Sequence, residues 1–574
     1  MEQEEEVING GDVLIKYFLQ EGIKYMFGIP GGQLLNMYDA IYRWGREKGI
    51  ETVLFRHEQA AAHAADAYAR VTNKPGVCFG TVGPGALHLV PGVGTAWSDN
   101  IPLIVVVPQV NSKYADSFTL QGNLDQIALF KPITKYQKSV RDIEEIPLAV
   151  QKAFREATGN RPGPVLLEIY EDAFLSKIEE SKIPIVQPEG YRAIFNPGID
   201  DKLIVNSLEL LLNSKKPLII SGGGVARSEA WNELRELAEY LQIPVITTFM
   251  GIGTISNESE CLIGSSMGND VVLQAARRAD VVLALGCRFT FVMGHGEEPF
   301  WKNSQKLIQV DIDPSIIGRN KPITLGIIGD CKKFLEKIVK NVKKVERVEQ
   351  RAWLDKLNRA KMNTILSVKD KASKKTVPIN SRFLVGQVFE FMEEDAIIVA
   401  DGGEIEAFAL EQINIHKPRL PLSTLISACM GHLGVTIPYG IGAKLAKPEK
   451  QVIAITGDGA FMFNVQDLET AVRLGLKNLI YVVANNNAWG SMKTFQKFAK
   501  KQRYIDVDFS GFNYAACAEG FGCYGEQVTD PNDIKPALER AKASKKPAVI
   551  DVIVKYETHE ITRLLQSAFY NLEM

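Results

Sequence analysis

Short apolar runs, rich in Val and Ile and none longer than a strand, recur along almost the whole chain. They are GVCFGTVG, IPLIVVVPQ, GPVLLEIY, KPLIISGGG, IPVITTFM, ADVVLALGCRF, KLIQVDID, AIIVADGG, QVIAITGDG, LIYVVANNN and PAVIDVIV. They are nearly continuous rather than alternating, and helical patterns lie between them. A strand that is apolar on both faces must be covered on both, and repeated strand–helix alternation meets that demand with a parallel sheet. The chain has 574 residues, 46% of them hydrophobic, and can bury several such cores. Two breaks divide the series, a polar, Pro-containing stretch from Glu179 to Pro197 and a Lys-rich run from Lys332 to Lys375. The expectation is an α/β chain of three doubly wound parallel-sheet domains, at 1–185, 190–345 and 375–560, with a tail at 561–574. The Lys-rich run, with acids interspersed, reads as a solvated helix.

Charge and targeting signals narrow the function classes. Lys and Arg number 66 against 68 Asp and Glu, so no surface built to seek a polyanion is expected, and nucleic acid is not an expected partner. The start, MEQEEEVING, is acidic and lacks an apolar core, and no run of eighteen apolar residues follows. Secretion and membrane spanning are therefore not expected. The seven cysteines are scattered without CxxC pairing and read as thiols of a reducing, cytoplasmic compartment.

Ligands of open parallel sheets collect beyond the carboxyl ends of strands. Two strands here end in polar groups, one at Gly457-Asp458-Gly459 and one at Asn485-Asn486-Asn487, about one strand–helix–strand crossover apart. An Asp carboxylate and an Asn carbonyl are hard oxygen ligands, and Mg2+ takes few of these, completing its shell with phosphate oxygens and water. The pair reads as a metal–diphosphate clamp, with the flanking glycines allowing close backbone approach and a helix from about Val465 to Leu474 offering amides. An ordinary turn is the competing reading of GDG alone.

GDG, a following helix and NN at this spacing resemble the signature of thiamine diphosphate enzymes. That resemblance assigns Gly457, Asp458, Gly459, Ala460, Asn485, Trp489 and Gly490 to the cofactor's diphosphate side, with Asp458, Asn485 and Asn487 on Mg2+. It also implies a glutamate that hydrogen-bonds the aminopyrimidine ring, matched by Glu58 in FRHEQAAAHAADAYARVTNKPGV. An exposed acid at the start of an Ala-rich helix is the alternative for Glu58. In GHLGVTIPYGIGA, Leu433 takes the place of the apolar wedge beneath the bent cofactor, and a plain core leucine is the alternative. ADGGEIEAF is similar to the loop approaching the diphosphate through Gly402, Gly403 and Glu404, although Gln-His is usual where Glu404-Ile405 stands.

Within that group the chain is most similar to the acetolactate synthase large subunit. The likeness runs through FGIPGGQLLNMYDAI, RHEQAAAHAADAYAR, GPGALHLVPGVGTAWSDNIPLI and RPGPVLLEI into the middle third. It implies a pyrimidine-binding, a central nucleotide-binding-like and a diphosphate-binding domain. It implies decarboxylation of pyruvate and transfer of the hydroxyethyl unit to a second 2-keto acid. It places FAD in the central domain near Gly222, Gly223, Gly224, Thr247, Arg288, Asp311, Asn320 and Asp330. The usual RFDDRVTG is RFTFVMG here, which weakens FAD and leaves an ADP or CoA nucleotide as the alternative.

Other departures lie nearer the chemistry. The Asn of GPGATN is His88, which reads either as a proton relay near the thiazolium or as a structural histidine. The FQE region is LQGNLDQIALFKP, where Gln121 matches the residue reaching the reacting carbonyl, and Gly32 offers a backbone donor to a developing alkoxide. Trp489 reads as a pocket wall or a core residue. LDQIALFKP also resembles 2-hydroxyacyl-CoA lyases, so a lyase of such substrates or of hydroxyketones is the alternative function. A pyruvate oxidase-like flavoenzyme and a non-catalytic homologue stand behind it. The resemblance further implies a homodimer or homotetramer with active sites between subunits, and leaves room for a regulatory subunit. The end, THEITRLLQSAFYNLEM, reads as a helix over the site or one packed on a neighbour.

Overall fold

Each of the apolar runs forms an interior strand of one of three parallel sheets in the computed structural model, which describes residues 6–122, 124–192, 198–265, 269–345, 351–416, 419–560 and 562–563. Each sheet has six strands, all parallel, and belongs to an α/β domain with helices on both faces. The first runs in the spatial order Glu51–Leu54, Tyr25–Gly28, Gly76–Phe79, Leu103–Gln109, Val165–Tyr170, Tyr136–Val140. The second is ordered Leu262–Ser265, Val245–Thr247, Pro217–Ser221, Val281–Leu285, Lys306–Asp311, Leu325–Ile328. The third is ordered Thr424–Leu425, Ile397–Ala400, Val452–Gly457, Leu479–Asn485, Ala548–Ile553, Tyr524–Val528. The strands absent from the apolar series are the two edges of every sheet and the interior strand Tyr25–Gly28. Edge strands such as Tyr136–Val140 are only half-buried and carry polar residues, so their apolar signal is diluted.

Numbered by chain order within its sheet, the first sheet reads 2-1-3-4-6-5, and so does the third. The second reads 3-2-1-4-5-6, the order of dinucleotide-binding folds. In each order the connections leave to opposite faces where the numbering reverses, opening a crevice at the carboxyl ends of the two strands that flank the reversal.

The Lys-rich run forms two amphipathic helices, Cys331–Val342 and Arg351–Ala372, rather than one solvated rod. Phe334, Leu335 and Ile338 of the first and Trp353, Leu354 and Leu357 of the second join the core of the second sheet. The expected helix from about Val465 to Leu474 is likewise broken up. Helical turns begin at Asp458, and Asn464 leaves helical geometry as its amide donates to the Gly434 carbonyl at 2.7 Å, so the regular helix covers only Leu468–Arg473. The C-terminal tail lies outside the described residues apart from Thr562 and Arg563. Among the described residues no helix is long and apolar enough to cross a membrane.

The chain divides into two compact units, one of residues 1–195, 430–447 and 464–474, the other of 196–429, 448–463 and 475–574. In the first, the Glu58–Thr72 helix packs against Pro84–Asp99 and Thr436–Ala446. Its Ala-rich face allows near-backbone contact, so close that a methyl group at Gly442 would strike the backbone of Ala64. A buried ionic cluster is sealed among these helices. Arg70 grips Asp66 through two nitrogens at 2.8 and 3.1 Å and reaches Asp99 at 3.0 Å, while the Tyr439 hydroxyl donates to Asp66 at 2.5 Å. A second tie fixes the strand end ahead of Glu58. Buried Asp467 accepts the Arg56 amide at 2.8 Å and the Thr470 hydroxyl at 2.9 Å.

These ties make two predictions. Arg70→Leu strands two buried carboxylates and should cost about 3–5 kcal/mol, seen as a lower urea midpoint; an unchanged midpoint would show the cluster carries no charge. Burial pushes the Asp467 carboxyl up to about 6 against the pull of its donors. With the folded value above the unfolded one, the native state binds the extra proton, so stability falls as pH rises from about 4 to 6 and is level above. Asp467→Asn keeps the Oδ1 acceptor and should lack this slope. Parallel urea midpoints for variant and parent across pH 4–6 would contradict it.

Candidate functional site

The residues singled out from sequence gather along the carboxyl edges of the sheets. In the first sheet the strands that flank the reversal are Tyr25–Gly28 and Gly76–Phe79. The turn after the first carries Gly31 and Gly32, and a side chain at Gly31 would strike Thr81, whose hydroxyl donates to Gln33 at 3.1 Å. The turn after the second, Gly80 to Gly85, forms a seat for Glu58. A Cβ built on Gly80 would lie 3.2 Å from the Glu58 Cγ, and one on Gly85 3.2 Å from its Oε1. Glu58 is the first residue of its helix and only 6% exposed, which removes the reading of an exposed acid.

The neighbours of that carboxyl are histidines. His88 places Nδ1 3.0 Å from Glu58 Oε2, and the rings of His57 and His88 stack with centroids 4.4 Å apart. His57 caps the helix by accepting the Gln59 amide on its Nδ1 at 3.2 Å. Burial, then the neighbouring His88, lowers the His57 pKa, opposed by Glu58. Gln121 adopts φ 64°, and its carbonyl would lie 2.6 Å from a Cβ at Gly83, so its loop closes over the same turn. Leu433 is half-buried between Gly431 and Gly434, both at positive φ, and the adjacent His432 ring contacts His63 of the Glu58 helix at 4.7 Å.

In the third sheet the ends of Ile397–Ala400, Val452–Gly457 and Leu479–Asn485 converge. Gly402, at φ 106°, presses on Gly457, and a side chain at Gly403 would collide with Ser491. Asp458, 2% exposed, accepts the Gly459 amide on Oδ1 at 2.9 Å and the Ala488 amide on Oδ2 at 3.2 Å. Burial pushes its carboxyl up to about 6, while the amides of Gly459, Ala488, Asn487 and Asn486 pull it down. Asn485 donates to the Phe512 carbonyl at 3.1 Å and to Asp551 at 3.0 Å, leaving its own oxygen to face the Asn487 amide at 3.3 Å. Asn487 sits at φ 53° with its carbonyl accepting the Phe509 amide at 2.8 Å. Ala460 and Gly490 lie in the adjoining helical turns.

Three details differ from expectation in physical cause. Gly459 is required by Trp489, whose ring would lie 2.7 Å from a Cβ there and is flanked by Phe463 and Phe509. The Glu404 side chain turns to the C-terminal segment, accepting the His559 amide at 2.8 Å and the Thr562 hydroxyl at 2.9 Å, and its buried carboxyl is raised in pKa. Asp551, which sequence reasoning passed over, is fully buried and accepts from Asn485, Tyr514 and Gln527. The signal was present in PAVIDVIV, a single acid inside an apolar strand.

At the second sheet's reversal, Gly222 and Gly224 are pressed against Gly286, so these glycines serve strand-end contact. Several polar side chains are engaged with protein. Thr247 donates to Ser265 at 2.7 Å, Asp330 caps a helix by accepting the Lys332 and Lys333 amides, and Asn320 donates to the carbonyls of Arg288 and Phe289. Asp311 accepts the Asp313 amide, and Arg288 reaches Cys429 Sγ at 3.5 Å.

The third-sheet edge fits a divalent cation with an anionic group. It offers a buried carboxylate that desolvation disfavours unless a cation neutralises it, and an amide oxygen fixed from behind, beside glycine turns without side chains. The first-sheet edge offers a carboxyl group and backbone donors.

Comparison with known proteins agrees. Residues 8–129 match the thiamine pyrophosphate enzyme N-terminal TPP binding domain, 204–338 the central domain and 401–552 the C-terminal TPP binding domain. The probable acetolactate synthase large subunit of Methanocaldococcus jannaschii is 33% identical, over 95% of this chain and 92% of its own. The acetolactate synthase large subunit of Cyanidium caldarium is 33% identical over 95% and 93%, and that of Haemophilus influenzae 31% over 96% and 95%.

Since Asp551 aims the Asn485 amide, Asp551→Ala should raise the Mg2+ concentration for half-saturation by about 10- to 100-fold, with Asp551→Asn, which keeps one acceptor, losing less. Calorimetric Mg2+ titration with thiamine diphosphate present checks this, and equal affinities in all three proteins would contradict it.

Proposed function

The chain belongs to the thiamine pyrophosphate enzymes, and from that premise we propose that it is a carboligase of the acetolactate synthase type, decarboxylating pyruvate and joining the two-carbon unit to a second 2-keto acid. What carries the reading is likeness to large subunits across all three domains, together with a Glu58 that is buried and seated. The lyase alternative rested on one short segment and is not favoured beside this full-length likeness.

Thiamine diphosphate supplies the nucleophilic carbon and the electron sink for breaking and making carbon–carbon bonds. In this reading Asp458, Asn485 and Asn487 would hold Mg2+, and the Gly402-Gly403 and Gly457-Asp458 turns would take the diphosphate on backbone amides. Glu58 would hold a proton toward the aminopyrimidine ring, and Leu433 would pack beneath the cofactor. The Gly32 amide and the Gln121 carboxamide donate toward the reacting carbonyl oxygen. Trp489 serves the metal loop as packing. Domain limits at 185–190 and 345–375 belong to the same reading.

The second sheet enters as scaffold. Joining two 2-keto acids with loss of carbon dioxide moves no net electrons, so the reading contains no flavin redox step, and turnover should not depend on added FAD. Because the relatives are named as large subunits, a smaller regulatory subunit is a proposed partner, alongside self-association into at least a dimer in the cytoplasm.

The test incubates purified protein with thiamine diphosphate, Mg2+ and pyruvate, with and without FAD, and quantifies acetolactate and carbon dioxide by mass spectrometry. Both products should form at equal rates with or without FAD, and Glu58→Gln should lower kcat by about 10²- to 10⁴-fold. Protein that binds thiamine diphosphate yet leaves pyruvate untouched would overturn the assignment.

A further inference from the structure

In the reading above Glu58 gives and takes a proton, yet its side chain is only 8% exposed, closed in by the Gly80 to Gly85 turn. One group bridges this burial. His88, on the Pro84–Asp99 helix, sets Nδ1 3.0 Å from Glu58 Oε2 while its side chain is 48% exposed. The contact uses one carboxyl oxygen and leaves Oε1 beside Gly85. His57 completes the geometry, its ring stacked on His88 at 4.4 Å and 29°, its Nδ1 held by the Gln59 amide. The stack fixes the plane of the His88 ring, so that Nδ1 stays on the carboxyl group.

We propose that His88, whose side chain is 48% exposed on the single chain, is the proton relay between buried Glu58 and the water that enters the site, a positioning residue that acts through Glu58. This rests on the reading of Glu58 given above. The relay runs without a ring flip. With Glu58 protonated, His88 carries its proton on Nε2 and accepts the carboxyl O–H on Nδ1. The proton passes from Oε2 to Nδ1 and the Nε2 proton leaves to water, so the carboxylate is left accepting from Nδ1–H. Uptake at Nε2 drives the reverse, and no proton is gained or lost by the pair apart from the one exchanged with solvent. Histidine suits this role because each nitrogen serves as donor in one state and acceptor in the other. An amide side chain at position 88 would hold Glu58 but pass no proton.

The test compares His88→Ala and His88→Asn with the parent holoenzyme. Both variants should bind thiamine diphosphate within about threefold of the parent by calorimetry, and both should lose about tenfold or more in kcat, a part of what general acid–base groups contribute. Free imidazole in the buffer should restore His88→Ala several-fold and leave the parent unchanged. In the unliganded protein, 15N spectra of the neutral ring should place its proton on Nδ1 when Glu58 is ionised. An Asn variant with parental kcat, or no imidazole response in the Ala variant, would overturn the relay. Cofactor affinity falling in step with kcat would also overturn it, as the mark of a structural role. The two readings fail separately, because a Glu58→Gln variant that stays active refutes the role of Glu58, while an inactive one beside an imidazole-insensitive His88→Ala refutes the relay alone.

Discussion

A parallel sheet covered on both faces leaves a chain one place to put polar chemistry, the line where its strands end. Val452–Gly457 and Leu479–Asn485 are apolar and buried until their last residues, and only there do Asp458 and Asn485 appear. The cover that makes the strands stable also desolvates whatever stands at their ends. Buried carboxyl groups need polar partners, at the strand ends and within the elements alike, and this chain provides them differently. Asp458 has four backbone amides, Asp551 the side chains of Asn485 and Gln527 with the Tyr514 amide, Asp66 the guanidinium of Arg70, and Glu58 a histidine.

The same constraint decides what was legible in the sequence. Interior strands announce themselves, because burial on both faces demands unbroken apolar runs, and every such run became an interior strand. Edge strands such as Tyr136–Val140 are half-solvated and stayed hidden, as did Leu262–Ser265 and Tyr25–Gly28, whose runs are only four residues long. Asp458, Asn485 and Glu58 were legible because a charged or amide group interrupts an apolar or Ala-rich pattern. Asp551 interrupts one just as plainly. It was passed over because its meaning lies in Asn485, far off in sequence and adjacent only once strands Leu479–Asn485 and Ala548–Ile553 pair. Glycines were read as room for a ligand, but Gly459, Gly222 and Gly224 make room for protein, and sequence carries no sign of which side of a glycine is occupied.

The second sheet has the strand order of dinucleotide-binding folds, and its Thr247, Asn320 and Asp330 side chains hydrogen-bond other protein groups. A crevice at a strand-order reversal is a consequence of winding, present whether or not a ligand ever selects it.

The repeated order 2-1-3-4-6-5 puts equivalent turns of two sheets to different use. In the first sheet the acid stands after the second strand, at Glu58, and the turn after the third is glycine; in the third sheet the acid stands after the third strand, at Asp458, and the turn after the second holds Leu433. The winding fixes where a turn can stand and leaves to the turn's own residues whether it carries a charge.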